Sequence, residues 1–480
     1  MTETISNVES LKTRHSKWIF LSNSLSQLPS TLISAVQGGF YLFYYQVVIG
    51  LNIWFVVLAV SIFMVYDATN NPIFGYLIDR NTRFTRKWGR RFPWIVVGII
   101  PWTLSIYMLF SVPDVDVSAN PWPVFGWLLL SLFVLDTFST LVNINYSLLR
   151  PDKFRTEGER RTFAKYYTPI DIFAMILGML FPAFFIDIIP GDPKTSYAIM
   201  GAMTAILSLV FAILSLPGNR EDKIVIDMYY STGDTKRMSF LKATKEAVKL
   251  KSFLVFFVFS TCYGLQITLV VVNLIYLITF VLQIGSDMYI LVLGLYLAAT
   301  LISLPLWIKY IKKINNNKKA FVVGGLAQCA ALIPLSFFQG LFDLLIMSFI
   351  LGFASGGLNA FTSTILFPSV VDDFAVRTGQ NQKGILFGIS AFLGRLIQWI
   401  DEVIFATVQQ ITGFIEGYDT YNELAAVVSN MTPILIGIRL LQGLIPALVL
   451  LVGVLVFWKF FPITQDVLLK NKAELEKLGL

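Results

Sequence analysis

The chain is poor in charge. Only 14% of its 480 residues are Asp, Glu, Lys or Arg, against about a quarter in an ordinary soluble domain. The length would allow two or three water-facing domains, but the polar surface for them is missing. Histidine is present once, as His15. A histidine-built metal cluster and a nucleophile–histidine catalytic set are thereby excluded, and no enzyme activity is expected. The two cysteines, Cys262 and Cys329, both lie in apolar sequence. They read as small core or lipid-facing residues, not as a disulfide or metal pair. No Gly-x-x-x-x-Gly-Lys loop occurs, which argues against direct use of a nucleoside triphosphate. No cofactor is expected. The polar first 17 residues are not followed by a short apolar core with a small-residue cleavage site, so no cleaved leader is expected.

What the chain has is hydrophobic sequence, 56% of all residues. A bilayer-crossing helix needs about 20 apolar residues. By that criterion about twelve segments qualify: 18–46, 51–78, 93–112, 121–149, 163–189, 195–216, 253–283, 287–311, 320–338, 341–370, 384–412 and 431–462. The loops alternate in charge. One set carries Arg80, Arg83, Arg86, Lys87, Arg90 and Arg91, then Arg150 to Lys165, then Lys312 to Lys319. The other carries Asp114, Asp116, Asp192, Asp287, Asp343 and Glu416. Basic loops face the cytoplasm, so both termini are expected inside a plasma membrane. The formal net charge of +7 belongs to these loops and does not indicate a nucleic-acid partner.

The reading divides the chain into an N-terminal tail (1–17), a six-helix bundle (18–216), a polar linker (217–252), a second six-helix bundle (253–463) and a C-terminal tail (464–480). Residues 238–251 of the linker alternate Phe240, Leu241, Ala247 and Val248 with Lys242, Lys245 and Lys249. That pattern fits either an interfacial amphipathic helix or a solvated connector. The two halves echo each other: Pro151-Asp-Lys-Phe-Arg and Pro368-Ser-Val-Val-Asp-Asp-Phe-Ala-Val-Arg each put Pro, acid and base at the same place. Duplication of this kind builds transporters that open alternately to each side. The fold class expected is an all-α membrane protein with twelve transmembrane helices in two pseudo-symmetric six-helix bundles. Such an architecture needs no partner chain beyond the lipid bilayer to form its pathway, and a monomer is expected.

The densest information lies in the second segment. Asp67 falls roughly 24 Å from its outer end at 1.5 Å per residue, within the apolar depth. Intramembrane acids are costly and usually face a polar interior. Asp136, Thr140, Asn143 and Ser147 form one stripe on the fourth segment, repeating every three to four residues. Arg395 lies near mid-membrane in the eleventh, with Glu402 two turns further on the same face and Asp401 rotated away. A substrate or gate charge and a static pair between helices both fit it. The cluster Tyr41, Phe43, Tyr44, Tyr45 and Tyr66 suits either a sugar platform or the lipid interface.

The pattern Asp67-x-x-x-Asn71-Pro-x-x-Gly75, then Asp79-Arg80, then Trp88-Gly-Arg-Arg-Phe-Pro-Trp94, resembles the glycoside–pentoside–hexuronide:cation symporters, the melibiose permease-like branch of the major facilitator superfamily. Val142-Asn-Ile-Asn-Tyr146, Glu159-Arg-Arg-Thr162 and Val370-Val-Asp-Asp-Phe374 are similar to that family's loops. The resemblance implies the major facilitator fold and a cation site at Asp67, Asn70, Asn71, Thr140 and Asn143. This chain has Asn71 where the family typically has Asp, and Asn143 where the permease has Asp. One carboxylate of the set is left, and sodium, a proton or uncoupled transport stay open. No metal is expected beyond a sodium there. For the solute, the resemblance points to Thr31, Ser147, Thr168 and Arg395, where Thr31, Ser147 and Thr168 replace the permease's charged or aromatic groups and Arg395 keeps a cation, while Asp136 is added by its place on the polar stripe of the fourth segment. Asp79, Arg80, Arg90 and Arg91 are read as gating residues. The expected activity is secondary transport of a small organic solute, a sugar or glycoside first. A lysolipid carrier of the same fold, or a receptor or scaffold without transport, are the alternatives.

Overall fold

The computed structural model describes residues 15–78, 85–154, 156–186, 191–223, 225–226, 245, 249–285, 287–314, 316–362, 366–378, 383–463 and a few positions beyond, with the backbone alone at, among others, 68–69, 71–73, 75–77 and 383–395. Every regular element among the described residues is helical. The chain forms two compact units, Met1–Thr235 and Lys236–Leu480.

The first unit contains α1 (Lys17–Leu25), α2 (Gln27–Phe43) ending in a π-helical turn (Tyr44–Val48), α3 (Ile53–Ile78), α4 (Thr85–Trp88), α5 (Phe92–Leu109), α6 (Trp122–Lys153), α7 (Glu157–Leu180), α8 (Ala183–Ile186) and α9 (Pro193–Asn219). Here α2 packs on α7, α3 on α6, α5 on α6, and α9 on α5 and α1. The second contains α10 (Lys251–Tyr276) with its own terminal π turn (Leu277–Leu282), α11 (Asp287–Ile314), α12 (Asn317–Leu332), α13 (Leu341–Phe361), α14 (Phe367–Thr378), α15 (Lys383–Thr412), α16 (Tyr421–Val427), α17 (Thr432–Gln442) and α18 (Leu444–Phe460). Here α11 packs on α13, α10 on α18 and α15, α12 on α13 and α18, and α15 on α17.

The helices follow the order of the expected segments, with α1 and α2 over the first and α17 and α18 over the last. The tenth segment, expected to run to 370, is helical over Leu341–Phe361 and again in α14, with 363–365 outside the described residues, and Pro368 falls in the first turn of α14, where a residue without an N–H is tolerated. The linker residues 227–244, with most of the expected amphipathic stretch, lie outside the described residues.

Among the described residues nine helices are long and apolar enough to cross a bilayer. Helix α5 shows why. It buries Ile95, Ile99, Trp102, Ile106 and Leu109, yet exposes Val97, Ile100, Leu104 and Tyr107 on the opposite side. A helix apolar on both faces packs inward and still needs hydrocarbon outward.

Helix starts are set by side-chain caps. Thr156 accepts the Glu159 N–H at α7, Asp192 the Thr195 N–H at α9, and Asn316 the Lys319 N–H at α12; each satisfies an otherwise orphaned donor. Helix α5 is capped from a distance, because Glu221, just beyond α9, accepts the Arg91 and Phe92 N–H groups at 2.9 and 3.2 Å. Gly89 has φ +91°, and a Cβ there would stand 1.8 Å from the Glu221 carboxylate, so only glycine fits. Both first helices, α2 and α10, end in π turns rich in aromatic contacts, a second echo between the halves that the sequence did not display.

Candidate cation-coupling site

Helices α3 and α6 pack side by side in the first unit. Asp67 is 14 residues from the start of α3 and Asp136 is 14 residues from the start of α6, so each lies about 21 Å along its helix. Both are buried, at 3% and 1% exposure. Asn70, also buried and one turn from Asp67, donates from Nδ2 to Asp136 Oδ2 at 3.1 Å. The sequence assigned Asp136 to the solute and left Asp67 as the lone acid of the cation set. In the fold Asp136 accepts the amide of the α3 asparagine that stands one turn from Asp67. With its Nδ2 turned to Asp136, Asn70 keeps its amide oxygen as an acceptor. Carboxylate and amide oxygens are what a hard cation takes, and a buried acid can equally carry a proton.

A second pair links the same two helices. Thr137 Oγ1 donates to the Phe133 carbonyl at 2.7 Å, so the 2.5 Å contact with Tyr66 has the tyrosine hydroxyl as donor. The Tyr66 ring stacks on Phe133 with centroids 4.2 Å apart. Two turns along α6 from Asp136, Asn143 accepts from Ser30 of α2 at 2.6 Å and donates to Ser139 Oγ at 3.1 Å. Asn143 thus ties α2 to α6. Thr140 between them is half-buried.

The remaining expected residues are dispersed. Thr31 is half-buried and accepts from Gln27 at 3.2 Å. Ser147 and Thr168 are exposed, on α6 and α7. Asn71 and Arg395 have side chains outside the described residues, and Asp79 and Arg80 lie outside them altogether. Arg90 is half-buried. Arg91 is buried and pairs with Asp152 at the end of α6, at 3.6 Å, an anchor inside the first unit. Tyr44 and Tyr45 are fully buried, their hydroxyls donating to the Phe110 and Leu109 carbonyls at 2.9 Å each. They pack the π turn and present no face to a sugar.

Three groups escaped the sequence reading. Ser30 carries no motif; its signal is only that a serine stands next to Thr31 and one turn from Gln27. Arg150 donates to Ser26 at 3.0 Å and lies 4.8 Å above the Tyr167 ring, a cation–π contact. His15, read as a tail residue, is clamped between Glu159 and Asp222, each at 2.7 Å from a ring nitrogen. Its pKa is raised, foremost by the hydrogen bond to Asp222, with burial opposing and Glu159 adding.

Paired helical units, apolar outer faces and acids buried in the interior define a membrane transporter of the major facilitator fold. Solved structures agree at the level of fold: a nucleoside transporter, NupG, solved as a point mutant, superposes with a TM-score of 0.61 at 12% identity over 92% of this chain and all of its own. A D-xylose–proton symporter gives 0.58 at 13% identity, over 93% of this chain and 98% of its own. The chain belongs to the family described as MFS/sugar transport protein, whose model matches residues 22–465. It is similar to the sodium-dependent lysophosphatidylcholine symporter 1-A of Danio rerio, 22% identical over 86% of this chain and 79% of that protein.

Proposed function

We propose that this protein is a cation-coupled symporter in which Asp67, with Asn70 and Asp136, holds the coupling ion, sodium or a proton. One observation carries the reading: two buried carboxylates on packed helices, Asp67 of α3 and Asp136 of α6, the second held by the Asn70 amide one turn from the first. Charges are retained at such depth when they have a task. The basic loops face the cytoplasm of a plasma membrane, with both termini inside. Binding and release of the ion bias which side the two units open to, and the solute travels with it.

For the solute, a sugar or glycoside is the first reading, supported by the family description and the Asp67–Trp94 motif. A lysolipid is the second, supported by the likeness to lysophosphatidylcholine symporters over 86% of the chain and by the uncharged Thr31, Ser147 and Thr168. Proteoliposomes carrying the purified protein separate them, with labelled melibiose, a pentoside and lysophosphatidylcholine offered under sodium and pH gradients. Gradient-driven accumulation of one class, lost in Asp67→Asn, is the expected result. Equal equilibration of every compound regardless of gradient would refute coupling.

A further inference from the structure

The second unit holds two acids that the coupling site does not use. Asp401 and Glu402 stand side by side in α15, about 15 Å from its outer end, and are 4% and 1% exposed. Asp401 leaves Oδ1 without a partner, and the nearby Thr268 hydroxyl of α10 donates to the Gly264 and Leu265 carbonyls of its own helix at 3.2 Å each. Glu402 has no hydrogen-bond partner at either oxygen. One turn on, Phe405 packs against Tyr276 of α10 with centroids 5.0 Å apart, closing the seam with aromatic carbon.

Among the described residues no counter-charge reaches this place from the packed helices. On α10 the one charged residue is Lys251, at its inner end. Its titratable Tyr263 donates to Asn359 at 2.8 Å, Tyr276 lies against Phe405, and Cys262 lies against Gly453 of α18. On α17 the one charge is Arg439, which donates to the Phe338 carbonyl and stacks on the Phe338 ring at 4.5 Å. On α15 itself the cations are Lys383 at the first residue and Arg395 two turns before Glu402.

An ionised carboxylate at 1% exposure with two unpartnered oxygens is strongly disfavoured, whereas the neutral acid is tolerated. A metal ion would need several converging oxygens. Adjacent residues on a helix diverge by about 100°, so Asp401 and Glu402 do not converge. We infer that Glu402 is a second proton-binding site, carrying a proton on one carboxyl oxygen in this conformation. When the second unit admits water, the Oε–H bond breaks, the proton passes to water, and the hydrated carboxylate remains; reclosure requires that the proton be returned. The site lies in the other unit from Asp67 and does not depend on which ion Asp67 holds.

Infrared spectroscopy of the purified full chain tests this without any solute. At neutral pH the wild type should show the carbonyl stretch of a protonated carboxyl free of hydrogen bonds. Alkaline titration should convert it to carboxylate absorption. The band should vanish in Glu402→Gln and persist in Asp401→Asn. Its absence from the wild type at neutral pH, or its survival in Glu402→Gln, overturns the assignment. Thermal unfolding gives a second readout: Glu402→Gln, isosteric with the neutral acid, should melt no lower than the wild type, and a clear loss would mean that the native side chain is ionised and paired. Failure here leaves the Asp67 reading standing, because neither readout involves ion-driven uptake.

Discussion

The two units bury acids in opposite ways. In the first, Asp136 receives the Asn70 amide, and Tyr66, Thr137, Ser30 and Asn143 extend hydrogen bonds across three helices. In the second, Glu402 is equally buried but receives nothing. A satisfied network fixes geometry and is costly to break, while an isolated acid at the same depth is tolerated only in its neutral form. The contrast fits the two proposals, a held ion in the first unit and a proton carried on Glu402 in the second.

The largest expected effect is on transport. Asp67→Asn should abolish accumulation against a gradient, a fall of at least about 100-fold in gradient-driven uptake if the carboxylate is worth roughly 3 kcal/mol to the ion, while the purified protein still elutes as a folded species. Gradient-driven uptake equal to the wild type would remove Asp67 from the account.

Next is stability. Asp136→Ala strands the buried Asn70 amide and should destabilise the first unit by about 1–3 kcal/mol, measured by thermal unfolding in detergent. Set beside Glu402→Gln, which should not destabilise, this sharpens the contrast between the units. Equal losses in both would erase it.

A smaller effect is expected at the π turn. Tyr44→Phe removes one hydroxyl from a fully buried ring and should cost about 1 kcal/mol, with solute affinity unchanged. A change in affinity would return this tyrosine to the solute pathway.

The smallest is at His15. Its folded pKa lies above the ordinary 6.5, so the protonated ring favours the folded state. That contribution is complete below 6.5 and is lost as pH rises through the folded value. After screening it is worth about 0.5–1 kcal/mol. His15→Gln should therefore melt below the wild type just under pH 6.5, and the gap should close on going alkaline. A gap that widens with pH would contradict the clamp.

Much of the fold was legible, because each crossing announces itself as an apolar run and each loop by its charge. Helix α5, Phe92–Leu109, was read on hydrophobicity alone as 93–112, one residue late at its start and three beyond its end. The π turns could not be read, since Tyr44–Val48 and Leu277–Leu282 differ from α-helix only in which carbonyl each N–H meets. At the candidate site, Asp67 stood out as an intramembrane acid and Asn143 by its place on the polar stripe, while Asn70 entered only through the family resemblance. The partnership of Asp136 with Asn70 was not legible, because it depends on the relative depth of two helices far apart in sequence. Glu402 was visible as a mid-membrane acid, but its lack of a partner is a property of packing. His15 looked like tail because its two carboxylates, Glu159 and Asp222, lie 144 and 207 residues away.

Ion-dependent stability of the substrate-free protein probes the Asp67 seam most directly. Thermal unfolding of the wild type and Asp67→Asn is compared in sodium chloride and choline chloride across a range of pH. The wild type should be stabilised by its coupling ion, by about 2–3 kcal/mol at 100-fold saturation, and Asp67→Asn should show no such rise. A wild type indifferent to both sodium and pH, or a variant that responds as the wild type does, would contradict the assignment of the coupling ion to this seam.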